Sequence, residues 1–153
     1  MTKEQEHNLN YFFETTFNSI LLWEERALQN AGLTSLSIKE LHIIEACKFQ
    51  EKLGLNTMSG IASKIGITQS ALTTAVNTLV RKKYITRSGN PNDRRIVYLH
   101  LTEIGEAAND KHALFHTNMV KSVGETLTED SLLTLTDSLQ RLSTFFSNYT
   151  HKI

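Results

Sequence analysis

Apolar positions fall into blocks along the chain, and the period of each block predicts an element. From Asn8 to about Gln29, Leu9, Phe12, Phe13, Phe17, Ile20, Leu21 and Leu28 recur at helical spacing in a wide, aromatic stripe. Ser37, with Glu40 three residues on, forms a capping box. The helix it opens carries Ile38, Leu41, Ile44 and Cys47 and loses its pattern near Gly54. Thr57 caps a short helix, MSGIASKI, which Gly66 ends, and Thr68 caps a longer one from Gln69 to about Lys83. In this pair Ile61, Ala62, Ile65, Ile67, Leu72 and Ala75 are apolar. Ala62 is small enough for two helices to cross closely, and Gly66 supplies a turn conformation that other residues enter at a cost. The pair reads as a helix-turn-helix.

After Tyr84 the period changes from 3.6 to 2. Ile85 and Arg87 lead into SGNPND, a run of turn formers, and Val97, Leu99 and Leu101 then alternate with Ile96, Tyr98 and His100. That is a β-hairpin with a polar, basic tip, a wing beside the second helix. Thr102 opens a long helix with Ile104, Ala108, Phe115, Met119 and Val123 on one side. A last helix starts at Thr128, with Glu129 and Asp130 where the helix dipole favours acids. Leu132, Leu135, Leu139, Leu142, Phe146 and Tyr149 follow as a heptad-like seam.

The predicted fold is mainly α with a small β-hairpin wing: a winged helix-turn-helix flanked by N- and C-terminal dimerisation helices. Residues 1–153 form a single winged-helix regulator domain, with a DNA-binding core at 37–101, the wing at 85–101, and dimerisation helices at 8–30 and 102–151. Striped helices at both ends exceed what a small wing domain can cover, so a symmetric homodimer is expected.

Composition narrows the class. At 153 residues, 40% hydrophobic and 21% charged, the chain is an ordinary globular one of single-domain size. The polar N-terminus lacks a secretory pattern and no apolar run is long enough to cross a bilayer, so a cytoplasmic location is expected. The lone Cys47 fits a reducing compartment and, on an apolar helix face, reads as a packing residue. No nucleophile elbow, P-loop or dinucleotide fingerprint is present, so no enzymatic activity is expected.

Net charge is zero, yet its distribution is uneven. Between Arg81 and Arg95 stand Arg81, Lys82, Lys83, Arg87, Arg94 and Arg95 against one acid, Asp93. A basic patch on an acidic body attracts phosphate and orients docking. The recognition helix offers Thr68, Gln69, Ser70, Thr73, Thr74 and Asn77, short polar groups suited to base edges in a major groove. Gln69 and Asn77 suit paired contacts to adenine, and the threonine methyls suit thymine. The wing carries Asn90, Asp93, Arg94 and Arg95, with an arginine for the minor groove and Asp93 holding one arginine in pose. Lys64, Arg81, Lys82 and Lys83 are assigned to phosphates, making affinity steeply salt-dependent. The expected partner is double-stranded DNA with a pseudo-palindromic operator. A non-specific architectural DNA-binding role is the competing reading of the small basic wing.

The run IASKIGITQSALTTAVNTLVRKKYITRSGNPNDRRIVYLHLTEIG resembles the core of the MarR family of transcriptional regulators. The wing of that family ends in a D-R-R triplet, here Asp93-Arg94-Arg95, and leads through L-x-L-T-x-x-G, here Leu99 to Gly105, into the next helix. SIKELHIIE, the LTT of the recognition helix, DRRIVYLHLT and a later His-x3-His are most similar to the family's regulators of bacterial fatty-acid synthesis. That resemblance implies a repressor of lipid-synthesis genes that needs no cofactor and responds to an acyl chain or to acyl-acyl carrier protein. The family also includes zinc-dependent repressors, whose ligand pattern would fall here on Glu24 or Glu25, His42, His112 and His116. Those residue types are adequate for tetrahedral zinc. The same histidines can equally line an effector pocket or hydrogen-bond within the core.

Overall fold

The computed structural model describes residues 1–150, and side chains as far as residue 148. Tyr149 of the seam and the end of the predicted helix 102–151 therefore lie outside the described side chains. The chain divides into two compact units, Met1–Phe115 and His116–Ile153. Among the described residues, no helix is long and apolar enough to cross a membrane.

The first unit opens with a long, interrupted helical segment: α1 (Lys3–Tyr11), a π-helical turn (Phe12–Thr16) and α2 (Phe17–Asn30). The turn is widened where Thr15 Oγ1 donates to the Tyr11 carbonyl and Asn18 Nδ2 to the Glu14 carbonyl. Of this segment only Glu24 and Leu28 are buried, and Phe12, Phe17, Ile20 and Leu21 stay exposed. Next come α3 (Ile38–Lys52), α4 (Met58–Ile65) and α5 (Gln69–Arg81). The antiparallel strands β1 (Ile85–Gly89) and β2 (Val97–Leu101) pair Ile85 with Leu101 and Gly89 with Val97. The architecture is that of a winged helix-turn-helix.

Helix ends follow the caps. Ser37 and Glu40 form the reciprocal box, with Glu40 N–H donating to Ser37 Oγ and Ser37 N–H to Glu40 Oε2. Thr57 and Thr68 accept from Gly60 and Ala71 N–H groups. Gly66 closes α4 in the left-handed region at φ 76°. The core lies around α3, which buries Ile43, Ala46 and Gln50 besides Leu41, Ile44 and Cys47. Ile61, Ala62, Leu72, Val76, Leu79, Ile85 and Leu99 close over it from α4, α5 and the strands. Ile67, apolar like its neighbours in the pair, is exposed in the turn.

α6 (Glu103–Gly124) runs from the first unit into the second. Its buried face is Gly105, Ala108, His112 and Phe115, whereas Ile104 points outward. Of the expected stripe Ile104, Ala108, Phe115, Met119 and Val123, Ala108 and Phe115 are buried, Met119 is half-buried, and Ile104 and Val123 are exposed, with Gly105 and His112 completing the inner face. The second unit continues through α7 (Glu129–Thr150), capped by Thr128 Oγ1 on the Ser131 N–H. None of the described side chains of α7 is buried, and Leu132, Leu139 and Phe146 of the seam are exposed.

Candidate nucleic-acid interface

α5 exposes Gln69, Ser70, Thr73, Thr74 and Asn77 on the side opposite buried Leu72, Val76 and Leu79. Thr68 is the exposed N-cap, its oxygen accepting from the Ala71 N–H and its hydroxyl proton still available to donate. Thr73 and Thr74 donate their hydroxyl protons to the Gln69 and Ser70 carbonyls. Each threonine therefore presents a methyl group and an acceptor oxygen. Asn77 accepts from Arg87 Nη2 of β1 at 2.8 Å, tying the helix to the strand beside it. No motif had marked Arg87 apart from the other basic residues; only the register of β1 against α5 brings it to Asn77.

The wing tip is built by its own side chains. Asn90 Oδ1 accepts from the Asn92 N–H and its Nδ2 donates to the Tyr98 hydroxyl, so Asn90 shapes the turn. Asp93 accepts from Arg95 three times, from the backbone N–H, Nε at 3.0 Å and Nη2 at 2.9 Å. These donors hold the Asp93 carboxyl below the usual aspartate range. Arg95 is fixed in pose while its side chain remains 91% exposed, as the sequence had led us to expect of one wing arginine. Arg94 is exposed beside it.

The root of the wing is anchored to the core. Asn56 brackets Leu99, accepting from its N–H at its own carbonyl and donating to its carbonyl from Nδ2, each at 2.8 Å. Cys47 Sγ donates to the same Leu99 carbonyl, and burial, with the nearby Glu51 and Glu106 charges, pushes this thiol up to about 12. Ser88 Oγ bonds His100 Nε2 at 2.9 Å, and His100 Nδ1 bonds Glu51 Oε1 at 2.7 Å, bracing both strands against the end of α3. Thr102 Oγ1 donates to the Lys83 carbonyl and accepts from the Gly105 N–H.

The four residues assigned to phosphates fare differently. Lys83 is exposed, at φ 65°, a left-handed conformation unusual for a side-chain-bearing residue. Arg81 is exposed and donates to Thr78 Oγ1. Lys64 lies over the Phe49 ring, 4.3 Å from its centroid. Lys82 is a correction: its ammonium is held by both Glu40 oxygens, at 2.8 and 2.9 Å, and by the Ser35 carbonyl at 2.6 Å. Lys82 is a strut between α5 and the start of α3, not a free cation.

A second cluster is buried away from this surface. Glu24 Oε1 lies 2.7 Å from His112 Nε2 and 3.3 Å from His42 Nε2, with Glu24 and His112 almost wholly enclosed. The donor atoms of Glu24, His42 and His112 lie within 4.8 Å of one another. Glu25, the alternative to Glu24, is exposed and faces a different crevice with Leu33 and Lys39. His116 follows His112 by one turn of α6 and belongs to the second unit.

Against known proteins, a model of the MarR family matches residues 36–97. YwhA, an uncharacterised HTH-type transcriptional regulator of Bacillus subtilis, is 31% identical over 90 residues. That match takes in 59% of this chain and 65% of that protein, so the chain spans about two thirds of the length of this curated relative. The DNA-bound crystal structure of Streptococcus pneumoniae FabT superposes with a TM-score of 0.86 at 30% identity, covering 94% of this chain and 99% of that one. The S. aureus MepR-DNA complex shares the fold at 18% identity and a TM-score of 0.76, covering 88% and 96%.

Proposed function

Because the chain belongs to the MarR family, we propose that it acts as a homodimeric, sequence-specific DNA-binding transcriptional regulator in the cytoplasm, repressing fatty-acid or lipid synthesis genes in response to an acyl ligand. The observation that carries this reading is the exposed polar face of α5 beside a wing whose Asp93 pre-orients Arg95. A duplex meets two readers there: α5 at base edges in the major groove, and Arg95, with Arg94, at the adjacent minor groove. Lys83 and Arg81 serve the phosphates and fix register without specifying sequence.

Similarity to DNA-bound FabT over nearly the whole chain supports the DNA reading. The fatty-acid assignment rests on the resemblance of the segments SIKELHIIE and DRRIVYLHLT to the family's regulators of fatty-acid synthesis. Unburied apolar faces on α2 and α7 support a second copy as partner. The acyl group shifts the population of dimers whose recognition helices match the operator spacing. Addition of acyl-acyl carrier protein should tighten binding to an A·T-rich palindrome upstream of lipid-synthesis genes, as read by fluorescence anisotropy. An unchanged dissociation constant contradicts the acyl assignment.

Convergence of Glu24, His42 and His112 favours a second reading, a zinc-dependent regulator on the same fold. One carboxylate oxygen and two imidazoles are a chemically suitable set for zinc. Zinc would replace the Glu24–His112 hydrogen bond by ligation and draw α2, α3 and α6 onto one ion. On the zinc reading, purified protein holds one zinc per protomer by elemental analysis and His112→Ala loses it. Zinc-free protein that takes up none at micromolar concentration leaves Glu24–His112 as a buried core pair.

A further inference from the structure

One of the two lone pairs of Asn77 Oδ1 is already engaged within the chain, by Arg87 Nη2. A guanidinium only donates, so the Asn77 atom 2.8 Å from Arg87 Nη2 is the carbonyl oxygen. The Nδ2 amine is the end of this exposed amide that makes no hydrogen bond among the described residues. Asn77 stands at helical spacing from Ser70, Thr73, Thr74 and Arg81, and lines a surface groove with Thr74, Thr78 and Arg81. The usual paired contact to adenine needs Oδ1 to accept from the N6 amine while Nδ2 donates to N7. Here a positive guanidinium already flanks Oδ1, so an approaching amine meets a second donor beside the oxygen it needs. Arg87 is exposed, and its other N–H groups also only donate.

Resting on the DNA-binding reading above, we propose that Arg87 and Asn77 act as one donor-rich unit, through which Arg87 sets base specificity: the unit favours a base edge rich in acceptors, guanine through O6 and N7, over adenine. This replaces the expectation, drawn from the residue type alone, that Asn77 reads adenine. Thr73 and Thr74 are its complement, since their hydroxyl protons are spent on the helix and they show acceptors and methyl groups.

The test is selection from a random duplex pool by the wild-type chain, Arg87→Ala and Asn77→Ala, with thermal melting to confirm that each variant is folded. The wild type should recover a motif with a guanine in each half-site. Freeing the amide in Arg87→Ala should shift the guanine-to-adenine ratio at that position by about tenfold toward adenine. Asn77→Ala, an exposed change to a better helix former, should lose discrimination at the same position and keep it elsewhere. A purely structural link would weaken all positions alike. A wild-type motif in which no position responds to both substitutions, or in which the responding position already holds adenine, overturns the proposal while leaving the DNA reading intact. A wild-type chain that recovers no motif overturns that reading and this proposal with it.

Discussion

At the scale of single residues, partners decide roles that charge alone does not. The Lys82 ammonium sits among the Glu40 carboxylate and the Ser35 carbonyl. Burial pushes the Glu40 carboxyl up, but Lys82 and the Ser37 N–H and hydroxyl together push it further down, below its ordinary value. A depressed carboxyl contributes stability that is present above its unfolded value near 4.5 and is lost as pH falls through the folded value. Lys82→Met should lower the melting temperature at neutral pH by about 3 °C, for about 1 kcal/mol of a half-buried pair. That difference from the wild type should shrink as pH falls below the unfolded value, and a constant difference would mean that packing, not charge, is lost. Cys47 is the converse case, legible from its place on an apolar face. With its thiol pushed up to about 12 and its Sγ on the Leu99 carbonyl, it is a packing group.

At the scale of elements, the caps were the most legible feature, because Ser37, Thr57, Thr68 and Thr128 satisfy N–H groups within three residues of themselves. Long-range geometry was not. Nothing local announces the π-helical turn at Phe12–Thr16. The inner face of α6 was misplaced toward Ile104 because hydropathy does not count Gly105 or His112 as interior residues, though both are buried. Gly105 is inside for a physical reason: a Cβ there would lie 2.2 Å from the Tyr84 carbonyl oxygen, a backbone atom that cannot turn aside. The first turn of α6 thereby seats on the wing root, with Thr102 bonding both Lys83 and Tyr84 carbonyls. Gly105→Ala should cost about 2 kcal/mol in urea unfolding. Gly124→Ala, where an added Cβ meets nothing within 4 Å, should be neutral or slightly stabilising. Equal effects would contradict the close approach.

At the scale of the whole molecule, two apolar stripes are exposed among the described residues: Phe12, Phe17, Ile20 and Leu21 of the opening helical segment, and Leu132 and Leu139 of α7. The sequence made both stripes legible, but burial against a second copy is a property of an assembly, which periodicity suggests only indirectly. The charge pattern is similar. Zero net charge conceals a basic wing region in which Lys82 is paired with Glu40 and Arg95 is posed by Asp93, while Arg87 keeps its charge beside the neutral Asn77 amide. What remains outward is a shaped set of donors, acceptors and methyl groups rather than a diffuse cationic patch. Such a surface should discriminate between sequences, whereas an architectural DNA binder should not. The most direct measurement compares affinity for a palindromic operator duplex with affinity for its scrambled counterpart at physiological salt, for the wild type and for Arg95→Ala. The operator should be bound at least about a thousandfold tighter. Arg95→Ala should lose about tenfold or more of operator affinity with its melting temperature unchanged. Equal affinity for the two duplexes would contradict sequence-specific binding by α5 and the wing.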